Sequence, residues 1–188
     1  MSNNIINHET RREDWGTPRD LFAALRLRFD FFCDLAADVL NAVHSRFIDE
    51  QKCIFSADSW FDVQNWAKDA TSPPYAWINP PYRPCGETGD FTARAAEIAD
   101  HAGCGVIALI PASVGTVWWR EHVAPHYPIV CFTRRLRFEG ASATAQFDTA
   151  LACKPAPGDS IERCAGALEP FGLVYERRHG KCLNSKNH

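Results

Sequence analysis

The chain has 188 residues, a formal net charge of −3, 46% hydrophobic and 23% charged residues, ordinary proportions for one soluble globular domain. That balance excludes a protein held to nucleic acid by bulk charge, so any basic footprint must be local. No apolar run approaches the ~18 residues of a membrane span and no secretory signal pattern is present, so the eight cysteines are expected as free thiols in a reducing cytoplasm.

Residues 1–13 are polar and read as a flexible N-terminal segment. Trp15-Gly16-Thr17-Pro18 precedes a helical spacing of Phe22, Leu25 and Phe29; Thr17 reads as its N-cap and Pro18 as its first residue. Phe29 to Asp34 is a short buried strand ending in an acid. Val39, Leu40, Val43 and Phe47 align on one face of a helix expected over Ala36 to Phe47. Asp58 to Lys68 is a short helix, and Ser72-Pro73-Pro74 breaks it. Tyr75 to Ile78 is a strand running directly into Asn79-Pro80-Pro81-Tyr82. Arg83 to Asp90 reads as a loop and Phe91 to His101 as a helix. Gly105 to Ile110 is the continuous apolar run of a strand buried on both faces. A helix over Thr116 to His126, a strand Ile129 to Phe132 and a strand Thr149 to Cys153 follow. The fold expected is α/β, a mostly parallel sheet flanked by helices, with ligands bound beyond the carboxyl ends of the strands. One domain spans 14–154, and 155–188 is a C-terminal extension.

Asn79-Pro80-Pro81-Tyr82 carries the chemistry. An exocyclic amine attached to a planar ring or carbonyl is a poor nucleophile because its lone pair is delocalised. Acceptors on both of its N–H groups help localise that pair, and the Asn79 side-chain oxygen and the Pro80 carbonyl can supply them. Pro81 holds Pro80 extended, and neither proline offers a competing amide donor. Tyr82 offers a face for stacking. Direct displacement at a sulfonium methyl needs alignment and desolvation rather than a strong base, so no role falls to Cys85. A proline pair can also simply end a strand, which is the reading expected of Pro73-Pro74.

Together with Asn79 to Tyr82, the segments Trp15 to Pro18, Phe32 to Ala37, Leu109 to Ala112 with Trp118-Trp119, and Arg134-Arg135-Leu136-Arg137-Phe138 resemble the phage-encoded DNA N6-adenine methyltransferase family over roughly residues 14–153. The resemblance implies a Rossmann-like methyltransferase fold, S-adenosylmethionine as methyl donor, and adenine in double-stranded DNA as acceptor, in a bacterial cytoplasm and in the setting of phage or restriction-modification biology. It implies Asn79, Pro80, Pro81 and Tyr82 as catalytic residues. Thr17, Pro18, Asp34, Ala36 and Asp58 would bind the donor, although Thr17, Asp34 and Asp58 are also plain helix-capping types. The expected Gly-rich donor loop is replaced by Asp34-Leu35-Ala36-Ala37-Asp38, whose alanines permit close approach without glycine's freedom. The adenine must leave the duplex stack. Arg134, Arg135 and Arg137 are candidates for phosphate contact, with Arg177, Arg178 and Lys181 as a second cluster. Trp118 and Trp119 could stack on bases, with core packing expected for at least one. A zinc site from Cys153, Cys164, Cys182 and His179 lacks paired spacing, and no metal is expected. Two alternatives stand beside this reading: a related enzyme acting on RNA or protein glutamine, and an inactive relative that only binds DNA. Oligomeric state and target sequence are not legible.

Overall fold

The computed structural model describes residues 15–49, 53–70, 73–82, 87–124 and 128–175. Six strands form one sheet: β1 (Asp30–Asp34), β2 (Pro74–Ile78), β3 (Gly105–Pro111), β4 (Ile129–Phe132), β5 (Thr149–Lys154) and β6 (Gly172–Tyr175), in the order β1-β2-β3-β5-β4-β6. Helices α1 (Arg19–Arg26) and α4 (Ile161–Leu168) cover one face; α2 (Ala57–Lys68) and α3 (Glu87–Ala102) cover the other.

The strand side chains sort by the period-two rule. Tyr75, Trp77, Ile107 and Leu109 enter the α1/α4 layer, while Ala76, Ile78, Val106, Ala108 and Ile110 enter the α2/α3 layer. Burial on both faces explains why β3 reads as an unbroken apolar run. Each such large side chain contributes about 1.5–3 kcal/mol of transfer free energy, which pins the sheet that carries the site.

The expectation of a mostly parallel sheet is corrected. β1–β2 and β2–β3 are parallel, but β3–β5, β4–β5 and β4–β6 are antiparallel, giving a mixed sheet with mostly antiparallel pairings. The cause lies between β4 and β5, where no helix forms among residues 133–148. A strand that returns without a crossover helix pairs antiparallel. β5 therefore slots between β3 and β4, and β4 runs in the same direction as β1, β2 and β3.

One expected helix is also corrected, and another is found with a different geometry. Residues 36–47 form no helix. The Asp38 carboxylate accepts from the Leu40 and Asn41 amides (2.6 and 3.0 Å), and the Asn41 side chain accepts from the Asp38 amide (2.8 Å). These local bonds offer the backbone an alternative to the helical ladder. Val39 and Leu40, expected on a buried face, are 82% and 87% exposed. The segment returns instead as a single parallel bridge, Asp34 to Phe47, on the side of β1 away from β2. The helix expected from Thr116 to His126 is observed over residues 117–123, and its last two expected residues lie outside the described ones. Thr116 Oγ1 accepts from the Trp119 amide (3.3 Å) and Trp119–Val123 is π-helical.

α1 starts one residue later than expected. Pro18 is its N-cap, without a side-chain capping bond, and the Thr17 hydroxyl instead accepts from the Trp77 indole (3.1 Å). α3 begins at Glu87, inside the expected 83–90 loop, whose first four residues lie outside the described ones. Beyond Lys154, α4 and β6 pack onto the same sheet.

Candidate active site

The carboxyl ends of β1 and β2 lie side by side, with Asp34 in register with Trp77. After β1 the chain passes to one side through Phe47; after α2 it returns on the other side as β2. β1 is the edge strand of the sheet, with only the Asp34–Phe47 bridge on its outer side among the described residues, and its carboxyl end is the kind of position where open α/β sheets bind ligands. A cavity of about 600 Å³ opens there, lined among others by Thr17, Asp34, Ala36, Asp49, Asn79 and Pro80. Its size suits a nucleoside-bearing cofactor.

Asp34 is 2% exposed. Burial pushes its carboxyl up to about 7, against hydrogen bonds from the Val43 and Ala36 amides (3.2 and 3.3 Å) that favour the ion. A buried acid at a cavity wall, poised near neutrality, matches a functional position better than a helix cap, and no helix follows it to be capped. Ala36 lines the same wall through its small side chain.

Asn79 follows β2 directly. Its Nδ2 donates to the Trp15 carbonyl (2.7 Å), and its Oδ1 accepts from the Tyr82 hydroxyl (2.8 Å). The Trp15 carbonyl only accepts, so the amide orientation follows from its partners. The Tyr82 hydroxyl also lies 2.9 Å from the Leu109 carbonyl, and burial pushes its phenol well above the ordinary value, which keeps it a donor. Pro80 and Pro81 line the cavity. The Pro81 carbonyl accepts from Thr88 Oγ1 (2.9 Å), tying the loop to α3.

The Tyr82 ring does not line the cavity. It sits edge-on to Trp15, Phe138 and Phe147, with centroids 6.5, 5.7 and 5.6 Å away. Trp15 in turn stacks on Phe138 (5.2 Å, 28°) and Phe147 (5.4 Å, 13°). An antiparallel bridge from Gly16 to Glu139 joins the same two segments. This aromatic assembly was not foreseen, because its members are scattered over residues 15–147 with no common period.

The remaining expected residues separate. Pro18 is buried at the head of α1, outside the cavity lining. Asp58 is exposed in the first turn of α2, also outside the lining, and Ser56 is that helix's N-cap. Asp49 lines the cavity instead. Its signal was readable: it follows Phe47-Ile48, a short apolar pair that bridges β1 in parallel and so delivers the next acid to the same end of the sheet. Arg134, Arg135 and Arg137 are all exposed just past β4. Since β4 runs with β1 and β2, they emerge at the same end as Asn79. Arg135 lies 3.7 Å from Asp148, and Arg137 donates to the Ala141 carbonyl (3.2 Å). Trp119 is buried and Trp118 half-buried, the latter against Gly89. Cys153 and Cys164 are free thiols. Cys85, Cys182, His179, Arg177, Arg178 and Lys181 lie outside the described residues. Among the described residues, no helix is long and apolar enough to cross a membrane.

These features define an α/β protein with a ligand cleft at the strand ends and an oriented carboxamide on its floor. The chain matches the model of the DNA N-6-adenine-methyltransferase (Dam) family over residues 5–156, and it belongs to that family. It is thus an enzyme, an S-adenosylmethionine-dependent DNA adenine-N6 methyltransferase. No curated protein and no solved structure matches it.

Proposed function

We propose that the chain binds S-adenosylmethionine in the cavity between β1 and β2 and methylates the N6 amine of an adenine flipped out of double-stranded DNA. The Rossmann-like reading is supported by the parallel β1–β2–β3 pairing and by the cavity at the carboxyl ends of β1 and β2. The observation that carries the proposal is Asn79, whose oriented carboxamide lines the same cavity as the buried Asp34.

The residues present fit the donor. Asp34 supplies a carboxylate at the wall, Ala36 permits close backbone approach, and Thr17 closes the side facing α1. Asp49 replaces Asp58 as the acid for ribose hydroxyls, because Asp49 lines the cavity and Asp58 does not. The bound donor supplies an electrophilic methyl on a sulfonium.

The chain's own residues then position the amine. Asn79 Oδ1 has two lone pairs, and Tyr82 uses at most one, so one remains for an amine N–H. The Pro80 carbonyl is the second acceptor. Accepting from both N–H groups localises the lone pair toward the methyl, and exclusion of water strengthens both bonds. Arg134, Arg135 and Arg137 hold phosphates beside the flipped nucleotide. Stacking of the Tyr82 ring on that base requires it to swing away from Phe138 and Phe147 when DNA arrives.

The test is expression with a plasmid in a host lacking adenine methylation, followed by base-resolved mapping. N6-methyladenine at a defined sequence is expected, and Asn79→Ala should reduce it on the order of 10³-fold, as loss of one electrostatic stabiliser does. Label from the donor appearing only in RNA or protein would overturn the substrate.

A further inference from the structure

The catalytic reading of Asn79 needs its oxygen, not its nitrogen, to face the amine. A carboxamide is nearly symmetric in shape, and a flipped Asn79 would present two N–H donors to a substrate that itself offers N–H donors. Something must therefore fix the flip.

We infer that Trp15 is the positioning residue that fixes it, acting through its main-chain carbonyl while its indole anchors that carbonyl in place. This inference rests on Asn79 being catalytic. Three observations support it. The carbonyl takes the Asn79 Nδ2 proton at 2.7 Å, a short bond for an amide donor. The indole stacks on both Phe138 and Phe147, at near-parallel angles of 28° and 13°. The next residue, Gly16, bridges Glu139, whose amide donates to the Gly16 carbonyl at 2.9 Å. There the two chains approach so closely that a Cβ on Gly16 would stand 2.9 Å from the Glu139 Cβ.

The carbonyl is thus held from two sides, by ring stacking before it and by a backbone bridge after it. At the other end of the amide the single Tyr82 hydroxyl proton is within reach of both Asn79 Oδ1 (2.8 Å) and the Leu109 carbonyl (2.9 Å), so it is the Trp15 carbonyl, which only accepts, that decides which way the amide faces. A single orientation of Asn79 satisfies both partners. The anchor rings come from the 133–148 segment, which also carries Arg134, Arg135 and Arg137. The segment proposed to grip phosphate therefore seats the residue that orients the catalytic amide.

The experiment uses the full chain, 15N-labelled, with the Asn79 side-chain amide assigned by its disappearance in Asn79→Asp. Trp15→Ala should speed hydrogen exchange at Asn79 Nδ2 by about 10-fold or more, and should lower the single-turnover methylation rate at saturating donor and DNA by about 10- to 100-fold, the scale of a displaced reacting group. Trp15→Phe keeps a stacking ring and should hold both readings within about 3-fold of the parent. If Trp15→Ala fails to fold, Phe147→Leu reads the same exchange from a half-buried anchor and should raise it by about 3-fold or more. Exchange unchanged in both Trp15→Ala and Phe147→Leu, or Trp15→Phe as damaging as Trp15→Ala, would overturn the assignment. Asn79→Ala separates the two failures: full methylation in that variant removes Asn79 from the mechanism, whereas its loss alongside an unaffected Trp15→Ala removes Trp15 alone.

Discussion

Asp34→Asn offers a quantitative check on the buried acid at the cavity wall. Burial raises this carboxyl from 3.8 to about 7. The unfolded chain releases that proton near pH 4, whereas the folded chain keeps it to near pH 7. Between those values the native state binds more protons than the unfolded state. Stability from this residue is thus fully present below about pH 4 and falls as pH rises to about 7. A difference of about 3 in pKa, at about 1.4 kcal/mol for each, places the limit near 4 kcal/mol. In the Asn variant the proton is gone but the group stays neutral at every pH. Urea unfolding of parent and variant between pH 5 and pH 8 reads the effect. About 1.6 kcal/mol of that limit is already lost by pH 5, so between pH 5 and pH 8 the variant should gain on the parent by about 2.5 kcal/mol. A parent–variant difference that stays flat with pH would show that Asp34 is already an ordinary carboxylate in the folded protein, and the argument from burial would fail.

Three further perturbations follow from single contacts. Thr17→Val leaves the buried Trp77 indole N–H without its acceptor and should cost about 1–3 kcal/mol in chemical unfolding; an unchanged midpoint would refute the bond. Gly105→Ala places a Cβ 2.4 Å from Tyr75 Cε1 and 2.7 Å from the Ala156 amide nitrogen, and a loss of about 1–3 kcal/mol from overpacking should appear as a lower melting temperature. Tyr82→Phe keeps the ring in its aromatic surroundings but removes the hydroxyl from Asn79 Oδ1 and Leu109. Its turnover should fall about 10-fold with stability reduced by about 1 kcal/mol, and unaltered turnover would make the hydroxyl a purely structural group.

Strands β1 to β5 were legible because the sheet is covered on both faces there, so each stands out as an apolar run, whereas β6 is half-exposed and carries no such signal. Their directions were less so, although a clue was present. Residues 133–148 show no helical period, and a strand returning without a helix has to run antiparallel. The false helix at 36–47 arose because Val39, Leu40, Val43 and Phe47 mimic an apolar face, while Asp38 and Asn41, three apart, are strong local competitors for backbone donors. α4 was missed because Pro155, Pro157 and Gly158 read as broken chain. Yet Ser160 caps the Arg163 amide (3.0 Å), and Cys164, Ala165 and Leu168 form a buried stripe. At the site, Asn79 and Asp34 were readable from their places at strand ends. Asp49 was readable only once Phe47-Ile48 is taken as a bridge beside β1 rather than as the end of a helix. The Trp15 carbonyl was invisible to residue-type reasoning, since a main-chain acceptor carries no side-chain signature.

The position of β5 has a consequence for synthesis. Every residue of β3 except Pro111 is buried, yet one edge of β3 has no neighbour until Lys154 has been made. The gap from Pro111 to Lys154 is 43 residues, or about 2–9 s at ribosomal speed. During those seconds the nascent chain displays an apolar strand with open backbone groups, a template for pairing with other chains. Yield in a heterologous host should therefore depend on chaperone supply and on translation rate downstream of residue 111 more than on the stability of the finished sheet.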